Sequence, residues 1–317
     1  MNIIFMYPVY KNYIWGGKRL KEEFNKNTSL DIIAESWEIS SNENGICKIK
    51  NKEYEGKTLK NLFEDKNLKE KIFGKKCEKF KEFPLLIKFI DAKNNLSIQV
   101  HPDDKYAKKM GFKNGKAEMW YVMECEENGK IIGGLNSKIT KEQLQSIIEN
   151  DNIKDYLSYV DINKGDSIYI PTGTVHAILK NTLICEIQQN SDITYRVYDW
   201  DRKTENGKER QLHKKEALET IKIENKPIIV HSNDELEKQK IVESKFFKVE
   251  KINCDEFFID NSCLDTFFAI NVIEGQGIIE TETNKYEIEK GESFLIPATL
   301  GKYKILGKIK LLKSYII

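Results

Sequence analysis

The chain has 317 residues, 40% of them hydrophobic, enough to bury one large core or two modest ones. With 51 Lys and Arg against 50 Asp and Glu the formal net charge is +1. This argues against nucleic acid as a partner but leaves room for a local basic pocket that takes one phosphate.

The opening Met1-Asn2-Ile3-Ile4-Phe5-Met6-Tyr7-Pro8 has no basic segment followed by an apolar one, and no stretch approaches the ~20 apolar residues of a membrane span. No membrane partner is expected, and the expected location is cytoplasmic. Cys47, Cys77, Cys125, Cys185, Cys254 and Cys263 form no Cys-x-x-Cys pair and read as reduced thiols. Leu59, Leu62 and Phe63 recur at helical spacing and predict a helix over 58–71. In Leu96-Ser97-Ile98-Gln99-Val100-His101 the period is two, which predicts a strand with Ser97, Gln99 and His101 on one face. Taken alone, such a face suits solvent as well as a site. Pro102, Asp103 and Asp104 then predict a helix start, with the proline at the first position and both aspartates structural. Residues 116–123 read as an apolar, aromatic strand in which Glu118 is embedded, and a carboxylate buried there needs a cation or several donors. Lys116, two residues earlier, shares the face of Glu118 and is a candidate site residue, although a strand lysine is usually solvated. Thr140 and Gln143 form a capping box ahead of Leu144, Ile147 and Ile148.

Residues 165–176, Gly-Asp-Ser-Ile-Tyr-Ile-Pro-Thr-Gly-Thr-Val-His, carry the densest signal. A short strand with Asp166, Ile168 and Ile170 on one face and Ser167 and Tyr169 on the other ends at Pro171 and Gly173, and aims His176 into a barrel mouth. Gln99, His101, Glu118 and His176 together offer two imidazoles, a carboxylate and an amide oxygen. That set suits a borderline divalent ion with a position left for substrate, and by residue type alone iron, manganese or nickel would serve as well as zinc. Glu186 is the carboxylate best placed to shuttle a proton, although a strand glutamate can equally orient Arg196. Arg196 offers a charged fork for an anionic oxygen; its plainer reading is an ion pair with Asp192 or Asp199. Trp15, Trp37, Tyr198 and Trp200 are expected to pack, and His213 and His231 to lie on the surface.

Lys164-Gly-Asp-Ser-Ile-Tyr-Ile-Pro171 recurs as Lys290-Gly-Glu-Ser-Phe-Leu-Ile-Pro297, which predicts two barrels of related design. No histidine follows in the second copy, which should be structural. The apolar-poor stretch 231–240 is the expected linker, dividing a first domain over 1–232 from a second over 240–317. The fold class is therefore mainly β, two barrels with a small helical layer beside the first.

Trp15-Gly16-Gly17, Glu35-Ser36-Trp37-Glu38-Ile39-Ser40, Gln99-Val100-His101-Pro102-Asp103-Asp104, Lys116-Ala117-Glu118-Met119-Trp120, 171–177 and 186–196 run in the order found in one family. In these stretches the chain resembles the type I mannose-6-phosphate isomerases, zinc enzymes of the cupin superfamily. The resemblance implies jelly-roll barrels and one zinc ion per chain, held by His101, Glu118 and His176 with Gln99 as a fourth ligand. It also implies a catalytic Arg196, and interconversion of mannose 6-phosphate and fructose 6-phosphate through an enediol. The chain lacks the helical insertion of the larger eukaryotic members and looks like the short bacterial form. The expected partner is a small sugar phosphate, and the expected assembly a monomer or weak homo-oligomer. An iron cupin dioxygenase and a non-catalytic sugar-phosphate-binding cupin are the alternatives.

Overall fold

A computed structural model describes residues 1–136, 139–203 and 207–317. Among them the strands form three sheets. One sheet runs in the order 228–230, 167–170, 118–124, 182–189, 85–92, 35–39 and 9–11, and a second in the order 195–198, 98–100, 176–178, 130–135 and 157–161. Ile90, Trp120, Ile168, Ile170 and Ile184 of the first pack with Ile131 and Ile178 of the second, closing a barrel. The third sheet is built around the long strands Phe268–Thr281 and Lys302–Tyr315 and encloses its own apolar core.

The first sheet is buried on both faces: every residue of its central strands Leu85–Ala92 and Thr182–Gln189 is buried, and the first of them reads as a nearly continuous apolar run. Its outer side, Leu85, Ile87, Phe89, Met119, Cys185 and Ile187, shares a core with Leu295 and Leu312 of the third sheet and with Phe247 and Phe267, which precede two of its strands. As the sequence pattern requires, Ile168 and Ile170 point into the first barrel, whereas Tyr169 faces outward against Phe247. The five-stranded sheet is covered by the helices Lys141–Glu149 and Lys214–Thr220, so the helical layer lies beside the first barrel.

Local chemistry sets the helix ends. The capping box at Thr140 is present, with Gln143 closing it. The stretch predicted as one helix over 58–71 is two, Leu59–Glu64 and Lys66–Phe73. Asp65 breaks it because its extended backbone lets the carboxylate accept the Asn67 N–H at 2.9 Å, capping the second helix. Likewise the helix Asp104–Lys109 is capped by Asp103, which accepts the Tyr106 N–H at 2.9 Å, and Pro102 stands one residue outside that cap.

The N-terminal strand Ile4–Tyr7 crosses the division expected at 232 and 240, pairing with Ser293–Ile296 of the second barrel and with Lys48–Ile49. At 231–232 the chain is tied back to the Gly165 turn: His231 Nδ1 lies 2.7 Å from the buried Asp166 carboxylate, and the Ser232 hydroxyl donates to the Gly165 carbonyl. The His231 side chain is otherwise exposed. Gly291, the repeat's counterpart of Gly165, has φ +94, and a Cβ there would lie 2.8 Å from the Phe24 carbonyl. Next to this contact the buried Lys26 ammonium donates to the Gly291 carbonyl at 2.6 Å and pairs with Glu38 at 2.7 Å, fastening the second barrel's turn to the first barrel's strand Glu35–Ile39. Among the described residues no helix is long and apolar enough to cross a membrane.

Breaking one partner of a buried pair leaves an uncompensated charge. Lys26→Met is expected to lower the unfolding free energy by about 3 kcal/mol. Adding Glu38→Met should recover part of the loss, as read from urea unfolding of the two variants.

Candidate active site

Glu118 opens the strand Glu118–Glu124, is fully buried, and is registered between Ile170 and Gln188. Its two oxygens face two imidazoles, His101 Nε2 at 3.3 Å and His176 Nε2 at 3.3 Å, and the two rings lie 4.7 Å apart. The Thr174 carbonyl lies 2.8 Å from His176 Nδ1. A carbonyl can only accept, so Nδ1 carries the proton and Nε2 is left with a free lone pair.

Burial drives His101 down to about 3, the Lys116 charge adding to the effect. Burial lowers His176 as well. Burial alone would raise Glu118, but the Lys116 charge beside it holds it well below the usual carboxylate range. Both rings are therefore neutral and the carboxylate ionised, the protonation state that metal ligands require. His176 Nε2 and both Glu118 oxygens take no hydrogen bond although all are buried, and the possible ligand atoms of the three residues lie within 4.8 Å of one another. This donor set fits a divalent cation, and it is the one such His, Cys, Asp or Glu group among the described residues. Lys116 Nζ sits 3.1 Å from Glu118 Oε2 and 3.1 Å from His101 Nε2.

Beside this group lies a cavity of about 520 Å3 that Gln99, Lys116, Glu186 and Arg196 all line. In the five-stranded sheet His176, Gln99 and Arg196 form one row, each directly opposite the next, so their side chains share a face. In the facing sheet a matching row runs Trp120, Glu186, Lys88 and Trp37. Lys88 pairs with Glu186 at 2.9 Å and with Glu35 at 3.6 Å, and the Trp120 indole donates to Glu186 at 3.2 Å. Burial raises the Glu186 carboxyl although Lys88 opposes it. Glu186 thus contacts Lys88 rather than orienting Arg196.

Arg196 has no carboxylate partner among the described residues; its Nη1 donates to the Gln211 carbonyl at 2.8 Å and its Nε, though buried, donates to no group. Asp199 is taken by Arg202 and Arg210, and Asp192 accepts from Asn44. His213, expected on the surface, is half-buried, and its Nδ1 accepts the Arg196 main-chain N–H at 3.1 Å. The polar flanks of His213 hid this, because the partner is a backbone group. Trp15 and Trp37 are buried and also line the cavity, whereas Tyr198 and Trp200 pack on the helical side, the Trp200 indole donating to the Leu96 carbonyl at 2.7 Å. Lys88, Glu35 and Arg210 were not singled out in the sequence. Lys88 had a readable signal, a lone lysine inside the apolar run 85–92, which can be buried only with a partner.

The second barrel shows the same rows without the ligands. Ile170 opposes Glu118, while Ile296, its counterpart in the repeat, opposes Phe268.

Comparison with known proteins places these features in a family. Residues 3–131 match the model of the phosphomannose isomerase type I catalytic domain, and residues 237–316 that of the mannose-6-phosphate isomerase cupin domain. The chain is 36% identical over 321 residues to mannose-6-phosphate isomerase ManA of Bacillus subtilis, covering 99% of this chain and 98% of that one. It is 34% identical over 316 residues to mannose-6-phosphate isomerase of Streptococcus mutans, covering 98% of each. The crystal structure of the mannose 6-phosphate isomerase from Bacillus subtilis superposes with a TM-score of 0.91 at 34% identity over the whole of both chains. A phosphomannose isomerase variant from Salmonella typhimurium shares the fold at 16% identity, TM-score 0.80.

The buried imidazoles predict a pH signature for chelator-treated protein. Unfolded histidines take up protons from about pH 6.5 downward, whereas folded His101 does so only near 3. The unfolded state then binds more protons, so stability falls as pH drops through this window. The slope attributable to His101 should be about 1.4 kcal/mol per pH unit near pH 5, and chemical unfolding of His101→Asn should show a correspondingly shallower dependence.

Proposed function

We propose that this chain, which belongs to the type I phosphomannose isomerases, interconverts mannose 6-phosphate and fructose 6-phosphate by moving a proton between adjacent sugar carbons through an enediol. One juxtaposition carries this reading: a buried pair of histidines with a carboxylate, in contact with Lys116 of a cavity whose walls also present Lys88, Glu186 and Arg196. Solvated sugar-binding surfaces have no need to bury an ionised carboxylate, whereas a metal site that activates sugar oxygens does.

His101, Glu118 and His176, with Gln99 as a fourth ligand, would hold one zinc ion, which when bound supplies a Lewis acid to polarise the sugar carbonyl and offset the charge of the enediolate. The Thr174 carbonyl keeps His176 in the tautomer that presents Nε2 to the site. Lys116, beside the ligand set, donates to a sugar oxygen. Glu186 accepts the proton from one sugar carbon and returns it to the next. Its burial supports this role by favouring proton uptake, and the Lys88 contact keeps a share of the carboxylate ionised. Arg196, charged and without a carboxylate, holds an anionic oxygen of the substrate. A cytoplasmic setting is part of the proposal, supported by six free thiols.

A mannose 6-phosphate isomerase assay paired with metal analysis tests the reading. Activity should fall to background on chelation and return with zinc, and His176→Ala should lose metal while the second barrel still unfolds cooperatively. Glu186→Gln should keep its metal and lose on the order of 100-fold in kcat. Full activity in metal-free protein would refute the metal-dependent reading, and tight sugar-phosphate binding without turnover would point to the non-catalytic alternative.

A further inference from the structure

Five cations line the cavity: Lys11, Lys88, Lys116, Arg196 and Arg210. Three are committed. Lys88 is held between Glu186 and Glu35, Lys116 lies against Glu118 and His101, and Lys11 is held by the Asn44 carbonyl over the Trp37 ring. Arg196 and Arg210 remain, and both belong to one cluster. Asp199, buried, grips Arg210 through two bonds, Nε donating to Oδ2 at 2.7 Å and Nη2 to Oδ1, and also binds Arg202. Arg202 is turned elsewhere, its Nη1 donating to the Asn95 carbonyl at 2.6 Å. Arg210 Nη1 takes no hydrogen bond among the described residues, and Arg196 Nε is a buried donor with no acceptor.

Among the described residues one carboxylate, Asp199, is shared by Arg202 and Arg210, and burial and the nearby Arg210 make the Arg196 charge costly. Crowding of this kind calls for an anion carrying more than one charge. Arg196 stands two strands from His176 in the same row, roughly 10 Å away by strand spacing. That places the cluster at the far end of an open-chain hexose phosphate whose first two oxygens face the metal ligands.

We propose that Arg210, together with Arg196, holds the phosphate dianion of the substrate, and that Asp199 is the positioning residue that fixes the Arg210 fork for it. The inference rests on the isomerase reading for the identity of the substrate, but the anion subsite can be measured without turnover.

Inorganic phosphate is the probe, titrated calorimetrically into the metal-loaded enzyme and assayed as a competitive inhibitor. Arg210→Met should weaken phosphate binding about tenfold or more and raise KM for mannose 6-phosphate in parallel, with kcat changed far less. Arg210→Lys should recover part of that loss, keeping the charge without the fork. Asp199→Asn separates position from charge. Deleting a negative charge should by electrostatics alone tighten phosphate binding, whereas loss of the bidentate grip should weaken it, and weakening is the expected result. Unchanged phosphate affinity in folded Arg210→Met overturns the subsite, and equal or tighter binding in Asp199→Asn overturns the positioning role. Should the wild-type chain bind phosphate through Arg210 yet turn over no sugar phosphate, the isomerase reading fails and the anion subsite stands.

Discussion

The first barrel is organised around one cost, the burial of the Glu118 charge. A carboxylate with no access to water must be met by cations, donors or a metal; here the Lys116 ammonium is the cation beside it, and the two neutral imidazole nitrogens facing its oxygens add ligand atoms for a metal. Each of these groups is fixed from outside the cluster. His176 is set by the Thr174 carbonyl, His101 stands at the end of its strand under Pro102, and Lys116 hangs from a main chain whose N–H is bound to the Pro102 carbonyl. The segment 99–103 therefore positions three of the participants at once. An ionised carboxylate and two neutral imidazoles form a donor set suited to a divalent cation, and the Lys116 ammonium is held against the same Glu118 oxygen and His101 nitrogen.

The second barrel shows what the same scaffold does when that charge is removed. Phe268 stands in the place of Glu118, so that position carries no charge, while the neighbouring row keeps its ionic pattern with the signs exchanged. Lys88 opposite Glu186 becomes Glu250 opposite Lys313, and Glu35 beside Lys88 becomes Lys238 beside Glu250. The Lys238 and Lys313 ammoniums approach Glu250 at 3.2 and 3.5 Å, as Glu186 and Glu35 approach Lys88. Lys313 is also held by Asp260, to which the Tyr303 hydroxyl donates, and its ammonium lies over the Phe268 ring at 3.9 Å. A charged triad at this level thus belongs to the architecture of both barrels, and chemistry was added in the first by opening a cavity beside it. The role of Lys88 follows from this comparison. It is the centre of a structural triad in which one member, Glu186, faces the cavity.

Much of this was legible in the amino-acid sequence because period-two patterning and turn residues act locally. The strand ending at Pro171, its copy ending at Pro297 and the capping box at Thr140 depend on neighbours a few residues away, and each is where the pattern puts it. The three residues that converge on one point, His101, Glu118 and His176, could be named because buried polar groups in apolar strands are conspicuous. What escaped were contacts whose partners are distant in sequence or belong to the backbone. Arg210 lies in a charged stretch that resembles any solvated loop, and nothing local reveals that Asp199 holds it beside a cavity. The N-terminal strand joins the second barrel through partners nearly 300 residues away, Ile4 with Leu295, and no local pattern encodes that pairing.

That pairing bears on the site as well as on the fold. The strand Glu35–Ile39 carries Glu35 and Trp37 into the cavity, while its fourth residue, Glu38, faces the other way to meet Lys26 and the Gly291 turn. The same five residues therefore line the active-site wall and hold the second barrel. Trp37 lies within cation–π range of both Lys11 and Lys88, so a shift of this strand would move two cavity ammoniums together. A barrel without metal ligands can in this way influence chemistry it does not perform, because the sheet it buries from outside is the sheet that carries Glu118, Glu186 and Lys88 inside. Close packing on both faces leaves that sheet little freedom to relax, and the geometry of the buried carboxylate depends on it.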